Sequence, residues 1–378
     1  MPPRRIIATV VFILTLLHIY IGVRLVPDLA FGTGGTAASI ALLLLSSALV
    51  PAGLLAPFMP HGKWWDRLAW AGLLAMGWAS SLLVLTFARD VALLGLTLLG
   101  AGSPGFTSRS ALGVPLLALL VTLVGLVNAR RTARVVEVEV PIADLPAALH
   151  GYSIAQISDI HVGPTIKHAY LAAIVKRVNA LGADAIAITG DLVDGTVQRL
   201  SQHTAPLAQL AAPDGAFFVT GNHEYYSGAE EWITEIRRLG LTVLMNEHVV
   251  RGRDGATLMI AGVADYTAHH FHPSHRSDPH AAAAGAPDGI HVRILLAHQP
   301  RSASAAADAG FDLQLSGHTH GGQFFPWNLF VPLQQPYVAG LDRLRQLWVY
   351  TSRGTGYWGP PKRFGAPSEI TLLRLVAA

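Results

Sequence analysis

The chain has no cysteine in its 378 residues, which excludes a disulfide framework and leaves it compatible with either side of a membrane. The same absence excludes a metal or redox site held by thiolates. Charge is scarce as well. Only 13% of residues are Asp, Glu, Lys or Arg, whereas 51% are hydrophobic, a balance far from that of an ordinary soluble protein. No repeat of solenoid period is present. The few charges divide unevenly. Residues 1–134 hold ten Lys or Arg and three Asp or Glu, net +7; residues 135–378 hold 17 and 21, net −4, which together restore the overall +3. The positive balance therefore belongs to the apolar half and does not point to a nucleic-acid surface.

Nearly uncharged runs of spanning length occur at Ile6 to Val26, Thr36 to Met59, Leu68 to Ala88 and Ser110 to Asn128. A bilayer core takes about 20 helical residues, so four crossings are expected, with both termini on one side. The run Val91 to Gly100 is too short for a crossing and reads as a helix continuation or re-entrant piece beyond Arg89 and Asp90. On the face of the termini lie Arg4, Arg5, Lys63, Arg67, Arg130, Arg131 and Arg134; on the other lie Arg24, Arg89 and Arg109. The positive-inside bias places the larger group, and the C-terminal domain, in the cytoplasm at an inner membrane. Arg4 and Arg5 before an apolar run also fit a signal or twin-arginine leader, but three further spans weigh against a cleaved one.

From Val135 the pattern changes. An alternating run over Val135 to Val140 reads as a strand, with no long linker after the last span. Further strands are expected at Tyr152 to Ser158, Ala183 to Thr189, Ala216 to Thr220, Ala256 to Ala261, Val292 to Ala297 and Asp312 to Ser316. Helical stretches at Lys167 to Leu181, Gln198 to Ala211, Ala229 to Leu239 and Arg301 to Ala309 separate some of them. The expectation is a polytopic helical membrane domain over 1–134 and, over 135–378, an α/β sandwich whose β-sheets are flanked by helices.

Metal-ligand signatures follow the strands in order. They are Asp159-Ile160-His161, Gly190-Asp191-Leu192-Val193-Asp194, Gly221-Asn222-His223-Glu224, His298 and Gly317-His318-Thr319-His320. An α/β sheet presents ligands from the carboxyl ends of its strands, where these blocks fall. Asp, Asn and His without Cys suit Mn²⁺, Fe or Zn²⁺. Two such ions ~3.5–4 Å apart can clamp the attacking and leaving oxygens of an in-line displacement at phosphorus. One Asp-x-His alone would be an ordinary surface pair; five blocks in order are not.

The five blocks resemble those of the calcineurin-like metallophosphoesterases, from about Val135 to the C-terminus. Gly317 to Gln323, and the tail from Ser352-Arg353-Gly354-Thr355-Gly356 to Pro367-Ser368-Glu369-Ile370, resemble the membrane-associated YkuE-like branch. The resemblance implies two central β-sheets flanked by helices. It assigns one divalent ion to Asp159, His161, Asp191 and His320, and a second to Asp191, Asn222, His298 and His318, with Asp191 bridging. It makes His223 the group that stabilises the phosphoryl oxygens or protonates the leaving alkoxide. Asp194 would hydrogen-bond the far nitrogen of His223 and fix its tautomer, although an Asp before Gly195 is also an ordinary turn residue. Glu224 reads as scaffolding.

Two segments bear on substrate. Residues 265–289 form a long histidine-rich loop without an evident element, which is either a solvated loop or a lid bringing His270 or Arg276 to a phosphate. Phe324 to Pro332 is either a core-packing strand and turn or an apolar surface offering Trp327 and Phe330 to an acyl chain or the membrane interface. The expected activity is hydrolysis of a phosphodiester or pyrophosphate bond, with a lipid-linked substrate favoured because tethering confines enzyme and lipid to one plane. A soluble nucleotide or small diester is the alternative. Nucleic acid is disfavoured by the acidic second half. A sensor or transporter is disfavoured by the complete ligand set and by spans nearly free of ionisable groups beyond His18.

Overall fold

The computed structural model describes residues 4–59 and 62–378. Two compact units divide the chain: residues 1–130 with 359–362, and residues 131–358 with 363–378. The short stretch 359–362 thus joins the helical unit, although in sequence it lies deep in the second half. Its Lys362 ammonium donates to the Gly77 carbonyl at 2.9 Å and the Ser81 hydroxyl at 2.5 Å.

The helical unit consists of α1 (Arg4–Leu29), α2 (Gly32–Leu55), α3 (Lys63–Leu98) and α4 (Pro104–Arg130), each long and apolar enough to cross a membrane. Their outward faces are rich in exposed Leu, Ile, Val and Phe, as expected where lipid is the solvent. α2 and α3 approach through glycine: a Cβ on Gly53 would lie 2.7 Å from Gly72 Cα, and one on Gly72 would collide with the Leu49 carbonyl. The ambiguous run after Asp90 is a continuation of α3, whose 36 residues make a rod of about 54 Å. It passes through Arg89 and Asp90 because tertiary partners satisfy both. Arg89 donates to Asp28, the Arg24 carbonyl, the Thr107 carbonyl and Ser110, and Asp90 accepts from Arg24 and Tyr20. The helices therefore carry more ionisable groups than His18, which itself bonds Ser46 at 3.0 Å.

The second unit is built on two six-stranded sheets. Strands β1 (Arg134–Ile142), β2 (Ser153–Ile157), β3 (Ala185–Thr189), β4 (Ala216–Val219) and β5 (Thr242–Val243) belong to the first. Strands β6 (Glu247–Arg253), β7 (Ala256–Gly262), β8 (Val292–Leu296), β9 (Leu313–Ser316), β10 (Gly340–Leu344) and β11 (Leu347–Thr351) form the second, and the last strand, β12 (Glu369–Ala377), returns to the first. The orders are β1-β12-β2-β3-β4-β5 and β10-β11-β9-β8-β7-β6. Within the first sheet β2, β3 and β4 run parallel; within the second β7, β8 and β9 do.

Period-two alternation builds the core. Ala185 and Ala187, Phe217 and Val219, Leu258 and Ile260, Ile294 and Leu296, and Leu313 and Leu315 share one buried cluster. The intervening Ile186 and Ile188 are buried as well, which is why these strands read as continuous apolar runs. α5 (His168–Asn179), α6 (Val197–Thr204), α7 (Asn222–Ser227) and α8 (Ala229–Arg238) accompany the first sheet, and α9 (Pro279–Ala283) and α10 (Ala303–Asp308) the second. The two-sheet α/β architecture is the expected one.

Two segment expectations change. Residues 265–289 contain 3₁₀ turns at Ala268–His270 and Pro273–His275 and the short α9, so the loop has elements of its own. Asp265 holds its start, accepting from Thr267 and Gln299, and Asn246 holds its middle through the Arg276 carbonyl and the Asp278 amide. Residues 324–332 contain no strand. They form 3₁₀ turns at Trp327–Leu329 and Val331–Leu333 that leave Phe325, Leu329, Phe330 and Leu333 exposed.

Candidate metal centre

The ligand blocks leave the carboxyl ends of five parallel strands. Asp159, Asp191, His298 and His318 lie two residues beyond β2, β3, β8 and β9, and Asn222 opens α7 three residues beyond β4. The chain turns so sharply there that Asp159, His161, Asp191, His318 and His320 all have positive φ, between 50° and 70°. Glycine is required beside them by contact: a Cβ on Gly317 would overlap Ser158 and the Asp159 carboxylate, and one on Gly221 the Asp191 carboxylate.

Three groups have donors close enough to hold a metal ion, Asp159 with His161 and His320, Asp191 with His298 and His318, and His161 with Asp194 and His223; the first two contain the residues expected as ligands. In the first, His161 Nε2 and His320 Nε2 are 3.1 Å apart, and His320 Nε2 is 3.4 Å from Asp159 Oδ1. In the second, His298 Nε2 lies 3.2 Å from both His318 Nδ1 and Asp191 Oδ2. The same Asp191 Oδ2 is 3.9 Å from His161 Nε2, so this carboxylate stands between the groups. Asn222 Oδ1 is buried and has no hydrogen-bond partner among the described residues. An orphaned acceptor beside an oxygen and imidazole donor set fits a divalent cation.

Electrostatics support that fit at His318, His320 and Asp191, while His298, against its burial, is raised well above its ordinary value by Asp191. Burial, then the neighbouring His298, pushes His318 down to about 3, and burial with Arg363 and His161 holds His320 well below its ordinary value. Both rings are therefore neutral at physiological pH, with lone pairs available for coordination. Burial alone would raise the Asp191 carboxyl, but His298, His223 and His161 together hold it well below the usual carboxylate range. Asp159, with burial and Asp191 against it, is raised.

His223 lies beside the first two groups, its backbone amide on Asp191 Oδ1 at 2.9 Å. Its Nδ1 is 2.6 Å from Asp194 Oδ1, and the same oxygen is 3.0 Å from Nδ1 of His161. Asp194 thus touches two imidazoles through one oxygen, His161 and His223. Burial works against charge on His223, yet Asp191 and Asp194 push its pKa up to about 9. Glu224 is fully buried and accepts from the amides of Asp191, Leu192 and Gly221 at 3.0, 2.8 and 2.6 Å, tying two ligand loops together.

Several side chains at the site were not singled out from sequence. Arg363 is buried and spends its guanidinium on the carbonyls of His320, Arg353 and Gly356 and on His320 Nδ1, gathering the loop from 353 to 366. Tyr226 and Trp358 flank His223 with ring centroids at 5.2 and 5.6 Å, and Phe271 continues from Tyr226 at 5.6 Å. The three-residue spacing from His223 to Tyr226 at the start of a helix was the legible signal for one of them. Among the residues read as substrate-binding, Trp327 and Phe330 pair with each other at 5.7 Å, His270 lies against His269 at 4.0 Å with the rings tilted by 41°, and Arg276 is exposed. Phe271, not His270, carries the loop's ring contact toward His223.

Comparison with known proteins agrees with this geometry. Residues 152–322 match the calcineurin-like phosphoesterase family. An uncharacterized metallophosphoesterase of Campylobacter jejuni is 33% identical over 323 residues, 81% of this chain and 82% of that one. The chain belongs to the calcineurin-like phosphoesterases. As a member of that family, it is also 42% identical over 293 residues to a bovine transmembrane protein with metallophosphoesterase domain, covering 73% of this chain and 65% of the relative. A zebrafish protein of the same name is matched over 62% of its length, so the chain spans less than two thirds of either animal relative. YkuE of Bacillus subtilis is 30% identical over 239 residues, 61% of this chain and 81% of YkuE.

Proposed function

We propose that this calcineurin-like phosphoesterase is a membrane-anchored hydrolase that uses two divalent metal ions to cleave a phosphodiester or pyrophosphate bond in a lipid or lipid-linked substrate. The observation that supports the reading is a pair of donor groups with the Asp191 carboxylate between them and His223 beside them. Asp159, His161, Asp191 and His320 would hold one ion, and Asp191, Asn222, His298 and His318 the other. Mn²⁺, Fe and Zn²⁺ all suit the donors. When bound, such ions supply Lewis acidity, withdrawing charge from the phosphoryl oxygens and acidifying water.

The chain's own residues do the rest. Asp191 neutralises charge at the centre, and His318 and His320 stay unprotonated because they are buried. His223, its Nδ1–H held by Asp194, presents Nε2 to the substrate and gives its proton to the leaving alkoxide. Asp194 keeps that tautomer fixed, as a buried carboxylate does for a general acid–base histidine.

Four membrane-capable helices in the same chain, together with the exposed apolar turns at 325–333, favour a lipid substrate. The seven-to-three bias of basic residues supports a catalytic unit on the cytoplasmic face of an inner membrane. The test is hydrolysis by the full-length, Mn²⁺-loaded protein of matched panels of lipid phosphodiesters, lipid pyrophosphates and soluble nucleotides. Release of product above that of His223→Ala, largest on a lipid, is the expected result. Equal, background-level release by both proteins would overturn the reading, and preference for a soluble nucleotide would remove the lipid.

A further inference from the structure

Three exposed rings line the approach to His223, although exposed aromatic surface is costly to leave in water. Tyr226 is 60% exposed, Trp358 46% and Phe271 45%. They come from three separated segments, α7, the histidine-rich loop and the tail, yet they stand in one row, Phe271–Tyr226–His223–Trp358. Each ring is tilted by 61° to 71° against the next, an edge-to-face arrangement that leaves ring faces open along the row. The row is anchored at the chemistry, because Tyr226 stands in the same helix as Asn222 and His223, three residues after His223, with its ring centroid 5.2 Å from the imidazole. Its outer end is held by Tyr225, which is buried and sits 5.7 Å from Phe271. A mostly apolar wall with one polar group at its end is the usual form of a small-molecule subsite.

We propose that Tyr226 and Phe271 form the leaving-group subsite, and that it takes an alcohol bearing an apolar body, whether an acyl-type chain or an aromatic ring. This rests on the phosphodiester reading above and adds which side of the phosphorus the apolar group occupies. The rings meet the site at His223, so a group lying along them has its ester oxygen at the proton donor. In the step, a water oxygen bonds to phosphorus and the bond from phosphorus to the apolar alkoxide breaks. That oxygen takes the proton of His223, and a water proton restores the histidine. The diester and one water become a monoester and the free apolar alcohol. The binding energy of the rings is then spent on the bond that breaks.

The experiment sets the two bonds of one molecule against each other. Methyl 2-phenylethyl phosphate and methyl octyl phosphate each carry two unactivated alkoxides, so product analysis reports which leaves, and partition into detergent cancels. For the full-length Mn²⁺-loaded protein we expect the apolar alcohol to be released in preference to methanol by on the order of tenfold, given the usual worth of ring contacts. The larger of the two preferences identifies the natural source as aromatic or acyl. Phe271→Ser, at an exposed ring that touches no candidate ligand, should bring the ratio close to one; Phe271→Leu, which keeps apolar surface, should retain most of it. Metal content and secondary structure of both variants, measured alongside, should match the parent. A ratio near one in the parent, or preferential release of methanol, overturns the proposal while leaving phosphodiester hydrolysis intact. Failure to cleave either diester, lipid or nucleotide would instead remove the underlying function.

Discussion

Asp194 offers the sharpest test of how the site works, because one of its oxygens serves two histidines in different positions. Asp194→Ala removes the contact to His223 at 2.6 Å and that to His161 at 3.0 Å together. A hydrogen bond to a charged group contributes about 1.5–3 kcal/mol, or roughly 10- to 150-fold in rate or affinity. Loss of a carboxylate behind a metal-ligating histidine costs about 10- to 100-fold. With the second factor at its lower end, because Mn²⁺ is saturating, the single variant should lose on the order of 10²–10³ in kcat on a diester with an alkyl leaving group. In a His223→Ala background only the His161 part remains, so the same change should cost about tenfold. The expected coupling is about 1.5–3 kcal/mol, far above the ~0.5 kcal/mol scatter of independent sites. Turnover at saturating Mn²⁺ with metal analysis gives all four corners of the cycle. A 4-nitrophenyl diester, whose leaving group needs no proton, should show much less of the effect. Additive losses, or a His223→Ala protein that has lost its metal, would refute the assignment of Asp194 and His223 to one proton-delivery unit.

Other expectations follow from individual contacts. Asp191→Ala should abolish activity and empty both metal positions, whereas Asn222→Ala should weaken one, which elemental analysis of the purified variants resolves. Gly72→Leu should separate α2 from α3, since even a Cβ there meets Leu49 and Gly53; a drop in melting temperature in detergent without change in the second unit's circular dichroism is expected. In chelated protein, His223 is raised to about 9 from about 6.5, so its stabilisation is full below about pH 6.5 and lost as pH rises to about 9. Urea titrations of chelated protein should show that decline, and a His223→Gln variant should flatten it. A topology reporter fused after Ala378 should register the cytoplasm, and one inserted near Ser103 the opposite face; the reverse pattern would discard the orientation drawn from charge.

The strands that deliver ligands were legible because each is an apolar run broken by a ligand block, a local pattern. β2, β3, β4, β7, β8 and β9 fall within two residues of the expected limits. What was not legible depends on distant partners. β12 lies between β1 and β2 although more than 200 residues separate them in sequence, and nothing near Glu369 announces that position. The length of α3 was obscured by Arg89 and Asp90, whose partners Asp28, Arg24 and Tyr20 lie on another helix. The candidate ligands came from motif blocks and the family resemblance they carry, whereas Arg363 and, Tyr226 apart, the ring row came only from coordinates. Arg363 bonds to carbonyls, which carry no sequence signal, and Phe271 reaches Tyr226 only because Asp265 and Asn246 pin the loop that holds it.

The left-handed backbone at Asp159, His161, Asp191, His318 and His320 has a consequence beyond placing ligands. Each such residue costs about 1–2 kcal/mol over an ordinary conformation, so the five together approach the 5–15 kcal/mol by which a typical domain is stable at all. Replacement by glycine would relieve the backbone but discard the candidate ligand. Ions bound at these positions would favour the folded chain alone, adding stability that grows with the logarithm of their concentration. The abundance of this protein in a cell would then follow the supply of transition metal through the survival of the folded chain, before any substrate is turned over.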